Sequence, residues 1–396
     1  MECYIVPARK MRGHANLLKI ASLKPFVVAF LVFLLVCQIL ILISGAPLAL
    51  SGQGDFPALY RAGRMIWSGE RFHLYDPAAQ ERFDRAMFPG RETATNYFYH
   101  PPAELLLLGP LALLSYKAAY FFWAVLSTGL LLFSARILQP QLGKLREAIG
   151  ISIPILFLAY FPAAMTVSLG QDSIVLLAVI VAACLQFLKK RDVACGAILG
   201  LGLFKFQHVI PLIAILAVRK RPKLLVGFAA TTLAFLAVSW AIVGTSGLIS
   251  YWHILWRLNP EMGWEMTNIR GIVESFGGFR AYTLGISACI FLWCALRRFP
   301  NDAIDYSAAL IGTSLVSYHM HAYDLTILLV AFMFALEYSI VERKWLGIAL
   351  VAILFLTPLQ FLLWHLKMIY LFALPLLALL IFLSLQRPSQ FPQPIE

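Results

Sequence analysis

Charge is what this sequence has least of. Asp, Glu, Lys and Arg make up 13% of its 396 residues, about half the share of an ordinary soluble domain. A chain so poor in charge and 61% hydrophobic cannot cover a globule with polar surface. That excludes a soluble enzyme, an extracellular binding module and a disordered scaffold. The sequence also lacks the short motifs of nucleotide and hydrolase chemistry. It has no phosphate-binding P-loop, no GxSxG elbow, no HExxH and no DxD pair that would hold a nucleotide-sugar through a metal. Its six cysteines (Cys3, Cys37, Cys184, Cys195, Cys289 and Cys294) form no CxxC pair. No structural disulfide, metal site or cofactor is expected from them.

What is present is apolar sequence in runs. The mean hydropathy is +0.79, and the runs are continuous rather than alternating in period two, which excludes a β-barrel. The expected fold is all-α and polytopic, with about ten spans: 25–50, 118–138, 147–164, 172–188, 222–243, 281–298, 303–317, 325–341, 345–363 and 368–386. Two further segments are expected as half-spans. The first, 102–115, rises only about 21 Å as a helix, short of the roughly 30 Å hydrocarbon core. The second, 193–218, is basic at both ends, with Lys189-Lys190-Arg191 before it and Arg219-Lys220-Arg221 after it. A re-entrant hairpin with Lys205 to His208 at its tip fits those flanks; one full span is the alternative.

The net charge of +12 sits largely in short loops beside apolar runs, the positive-inside pattern, so no nucleic-acid partner is expected. Arg9, Lys10, Arg12, Lys19 and Lys24 precede a first run too long for a cleaved signal peptide. The chain therefore divides into a basic cytoplasmic tail (1–24), a membrane domain (25–386, with the external loop 51–100) and a cytoplasmic tail (387–396). Both termini lie inside, as in a multi-pass cell (inner) membrane protein. Loop charge alone then gathers 51–100, Gln171-Asp172, Asn268-Ile-Arg270 and the stretch His319 to Asp324 on one external face. The six Arg of 51–100 run against that rule, but six acidic residues balance them.

Several residues on that face suit chemistry. Asp55 follows the first span directly, after Gly52 and Gly54. A carboxylate there serves either as a general base beside a lipid-borne substrate or as the N-cap of a following helix. Residues 56–88 read as two amphipathic interfacial helices, the second opened by Asp76-Pro77; they either shape a lipid groove or simply pack. Lys205, Gln207 and His208 stand inside an apolar segment. A lysine there marks a functional site or an ion pair, or snorkels to the surface. Arg270 either clamps a phosphate or is solvated. His319, His321, Tyr323 and Asp324 suit phosphate or sugar binding or helix capping better than a metal, because i, i+2 histidines do not share a helix face.

The order of these pieces resembles a known family. Gly54-Asp55-Phe56, Tyr60, Leu74-Tyr75-Asp76, Tyr99-His-Pro-Pro102, Gly170-Gln171, Leu203-Phe-Lys-Phe-Gln207, Asn268-Ile-Arg-Gly271 and His321-Ala-Tyr-Asp324 resemble glycosyltransferase family 87 of the GT-C superfamily. The resemblance implies a GT-C-like bundle. It also implies transfer of a hexose, usually mannose, from a polyprenyl-phosphate donor to an acceptor such as a glycolipid or polysaccharide, at the periplasmic or exterior face. It implies Asp55 as the catalytic base. Lys205, Gln207, His208, Arg270, His319, His321 and Asp324 then serve donor phosphate or sugar, and Tyr60, Tyr99, Gln171 and Asn268 the acceptor or groove, with membrane lipids around them. Phe206 stands where the family often has Pro, and His100 interrupts a Tyr-Pro-Pro. A multi-pass transporter or lipid flippase is the alternative from another class; ten spans and broken segments suit it.

Overall fold

The computed structural model describes residues 24–90, 96–219, 221–257 and 263–386. The two tails expected at 1–24 and 387–396 lie outside it but for Lys24. The protein is an all-α polytopic membrane protein, and among the described residues no strand occurs. Among the described residues, five segments are long and apolar enough to cross a membrane: Lys24–Leu50, Tyr116–Gln141, Asp192–Val218, Lys223–Trp256 and Ala322–Val341. A sixth, Trp345–Phe355 with Thr357–His365, is bent by 52°. Other expected spans are shorter apolar helices, among them Ser173–Leu188, Arg280–Leu296 and Ile369–Ser384.

Residues 147–164 depart from the expected single span. The chain there is cut into Gly143–Ile149, Ile153–Leu158 and Phe161–Leu169. Gly150 takes φ 65° at the first break, and Pro154 and Pro162 sit in the first turns of the next two helices, where proline's missing N–H costs nothing. Broken helices leave carbonyls that lipid cannot satisfy. Gln38 donates to Ala159 O (3.0 Å) and to Thr357 Oγ1 (2.9 Å). Gln360 does the same for Leu354 O at the 52° bend. Both glutamines are buried.

Length alone makes Asp192–Val218 a span, but its ends meet. Arg221 donates to Asp192 Oδ1 (3.1 Å) and to Phe187 O (3.0 Å). A continuous helix of 27 residues would hold its ends about 40 Å apart. The segment is therefore a re-entrant hairpin: Asp192–Gly200 runs in, Leu201–Lys205 turns, and Phe206–Val218 returns. Asp192–Gly200 packs alongside the start of Lys223–Arg257 at backbone contact. A Cβ on Gly196 would lie 1.9 Å from Leu224 O, and one on Gly227 1.9 Å from Val193 O. Small residues permit that approach in membranes. The nine helical residues and five tighter ones carry the tip about 24 Å deep. That equals the rise of the neighbouring Ser173–Leu188 helix, so Lys205 ends level with Ser173. The opposite, basic end is closed by ion pairs of Arg219 with Asp305 (2.8 Å), Arg221 with Asp302 (3.0 Å) and Lys190 with Asp302.

Two short helices, Phe56–Trp67 and Pro77–Met87, lie where the amphipathic pattern puts them. Asp76 caps the second, accepting from Ala78 N (3.0 Å). The first packs on the irregular half-span 102–115 and satisfies its carbonyls. Tyr60 donates to Leu114 O and Trp67 to Gly109 O, both at 2.7 Å. Buried Arg61 ties the pair together, reaching Asp84 (2.7 Å), Gln80 (2.9 Å) and the carbonyl of Asn96.

Candidate active site

The turn Leu169-Gly170-Gln171 is the hinge of the site. Gly170 ends the Phe161–Leu169 helix at φ 70°, and a Cβ there would lie 2.5 Å from Phe56 Cβ. On one side of the turn, Leu169 O accepts from Asp55 N (3.3 Å). The left-handed Gly54 (φ 91°) allows that approach. Asp55 occupies the N-cap position of Phe56–Trp67, yet its carboxylate makes no cap hydrogen bond. It instead accepts from Asn96 Nδ2 at 2.7 Å. The capping role is thus not what the side chain performs.

On the other side of the turn opens a cavity of about 660 Å³, the size of a small-molecule site. Arg270 and Arg280 bring positive charge to its wall, Glu274 and Asp324 bring carboxylates, and His319, His321, Gln171 and Gln207 bring hydrogen-bonding groups. One flank is formed by Trp252, Trp256 and Leu284, which are 59%, 72% and 70% exposed. In a bundle surrounded by lipid, that flank is a lateral opening.

A buried chain of charges forms the floor. Lys205 Nζ lies 2.8 Å from Asp172 Oδ1 and 2.6 Å from Asp324 Oδ1, and donates to Ser173 Oγ (2.8 Å). Ser173 and Asp324 accept hydrogen bonds from it and Asp172 pairs with it as an ion, so the ammonium lines the cavity with its charge already shared. Snorkelling is excluded, since its side chain is 4% exposed. His100 Nδ1 meets Glu104 Oε2 at 2.7 Å and Asp172 Oδ2 at 3.5 Å. Burial works against a charge on His100, but the carboxylates of Glu104 and Asp172 outweigh it and push its pKa up to about 10. His100, Glu104 and Asp172 place three ligand atoms within 4.8 Å of one another. The two carboxylates of that group already face positive partners, Glu104 and Asp172 the His100 ring and Asp172 also the Lys205 ammonium.

The cavity thus joins Tyr99, Gln171, Lys205, Gln207, Arg270, His319, His321 and Asp324. Arg270 is buried; it bonds Glu274 (2.8 Å) and its guanidinium stacks 4.3 Å from the Tyr318 ring. Asp324 also receives the backbone N–H of His321 (3.2 Å), closing a capping box. Four expected residues do not line the cavity, Asp55 on the far side of the turn among them. Tyr60 is held at Leu114 O. His208 lies buried behind Asp324, 3.7 Å from its Oδ2. Asn268 caps the Ile269–Ser275 helix through Gly271 N (3.0 Å). Asn96, Glu104 and Arg280 belong to the site but were not anticipated. Glu104 had a readable signal, an acid opening an apolar half-span; Asn96 had none.

The fold and this site define a membrane-embedded protein with a charged, laterally open cavity and, across the Leu169–Gln171 turn from it, a carboxylate held by Asn96. Residues 98–336, more than half of the chain, match glycosyltransferase family 87, and the chain belongs to that family. No curated protein and no solved structure matches it. The protein is therefore a glycosyltransferase of the membrane. Asp55 and the interfacial helices lie before the matched stretch.

Proposed function

We propose that this glycosyltransferase moves a hexose, mannose in the first instance, from a polyprenyl-phosphate donor to an acceptor hydroxyl at the outer face of the cell (inner) membrane. The observation that carries the reading is the position of Asp55. Its carboxylate is held by Asn96 rather than spent on a helix cap, and the turn that anchors its backbone also feeds Gln171 into the charged cavity. The exposed flank of Trp252, Trp256 and Leu284 gives a prenyl chain a path that stays in lipid.

In this reaction Asp55 takes the proton of the acceptor hydroxyl. The oxygen attacks the anomeric carbon as the bond to the polyprenyl phosphate breaks, and the electron pair leaves with the phosphate. A single displacement inverts the centre, so a β-linked donor gives an α product. Arg270, Arg280, His319 and His321 stabilise the departing phosphate electrostatically. Lys205 holds Asp172 and Asp324 in place rather than taking the phosphate itself. The acceptor is a glycolipid or polysaccharide presented from the groove above the interfacial helices. The test is incubation of purified protein with labelled polyprenyl-phosphate-mannose and a panel of such acceptors. Transfer of label into an α-linked product supports the reading; no transfer to any acceptor from any polyprenyl-phosphate hexose refutes it.

A further inference from the structure

Two side chains that line the cavity, Gln171 and Thr283, carry a buried oxygen with no hydrogen-bond partner among the described residues, and only Gln171 sits on the turn that also holds Asp55. Gln171 is 5% exposed, lines the cavity, and its Oε1 has no hydrogen-bond partner among the described residues. Buried amides are normally paired, because an unmade hydrogen bond is costly. The backbone around it is fixed on all sides. Tyr120 donates to Ser168 O (2.9 Å), Trp123 to Gly170 O (3.0 Å), and Gln171 N to Thr166 O (2.9 Å). Asp172 is locked to Lys205. A rigid turn that presents an unpaired amide is built to receive a partner.

The chemistry of that partner follows from the division of the cavity. Arg270, Arg280 and His319 suit an anion. A carboxamide is neutral and both donates and accepts, which suits a hydroxyl. The same turn holds Asp55 through Leu169 O, so the hydroxyl lies close to the carbon under attack.

We propose that Gln171 reads a ring hydroxyl of the transferred hexose, the one on the carbon next to the anomeric centre. This rests on the reading of the cavity as the donor site. It makes Gln171 a specificity-determining residue, because its amide is satisfied only by a sugar that carries that hydroxyl.

The test compares wild type with Gln171→Met, after matching their melting in detergent. Three lipids are used: a polyprenyl-phosphate hexose, its 2-deoxy analogue and bare polyprenyl phosphate. The variant is expected to lose about 10- to 100-fold in kcat/KM for the full sugar, and nothing further for the deoxy sugar. Its affinity for bare polyprenyl phosphate is expected to be unchanged. Equal losses on both sugars, or no loss on either, overturn the assignment. If Q171M does not fold, Gln171→Asn, which withdraws the amide by one methylene, is measured in the same assays with the same expectations. A wild-type protein that binds sugar-bearing and bare lipid alike and transfers neither sugar refutes the donor-site reading itself.

Discussion

Lys205→Met is the sharpest structural test of the site. The ammonium stands 2.8 Å from Asp172 and 2.6 Å from Asp324, and all three side chains are at most 4% exposed. Methionine keeps the unbranched apolar stem, one atom shorter, and removes the charge, leaving two carboxylates at the cavity floor without their shared ammonium. Breaking one buried pair in this way costs about 3–5 kcal/mol. The two pairs share one ammonium, so their costs do not simply add; a loss of about 3–5 kcal/mol is expected. Reversible unfolding in mixed micelles, followed by tryptophan fluorescence, reads it. Adding Asp172→Asn and Asp324→Asn removes the stranded charges and is expected to recover at least half of the loss. A Lys205→Met protein within about 1 kcal/mol of wild type would refute the reasoning, because the lysine would then carry no buried charge balance.

Three further outcomes are expected. Arg270→Ala is expected to lower turnover by about 10² through loss of leaving-group stabilisation; an unchanged rate removes Arg270 from the site. Asn96→Ala frees the Asp55 carboxylate from its 2.7 Å contact and is expected to lower kcat about 5- to 10-fold with little change in KM; a change in KM alone would contradict a positioning role. In a cysteine-free background, Gln53→Cys and Phe279→Cys are expected to react with a membrane-impermeant maleimide from outside, and Lys189→Cys and Lys344→Cys only after permeabilisation. All four positions are exposed; labelling of 53 and 279 from opposite sides would separate the base from the cavity.

Much of this architecture was readable because membranes punish unpaired polar groups. Basic flanks on both sides of 193–218 foretold the hairpin, and the Arg221–Asp192 contact is the reason it closes. Asp76-Pro77 marked its helix through cap chemistry that is purely local. The segmentation of 147–164 was legible in Gly150, Pro154 and Pro162, yet the hydropathy of the run hid it. What the sequence could not give was partnership. Lys205 finds Asp172 33 residues away and Asp324 119 residues away, and no spacing rule reaches so far. Asn268 reads like a site residue because it is polar beside an arginine, whereas its amide is consumed in capping a short helix.

Transfer depends on Asp55 as the base, and Asp55→Asn is the decisive substitution because it keeps the shape and the Asn96 neighbour while removing the basicity. Initial rates are measured with a labelled polyprenyl-phosphate hexose at matched protein levels. A fall of about 10²- to 10⁴-fold is expected with donor binding retained; transfer at a near-normal rate would remove Asp55 as the base.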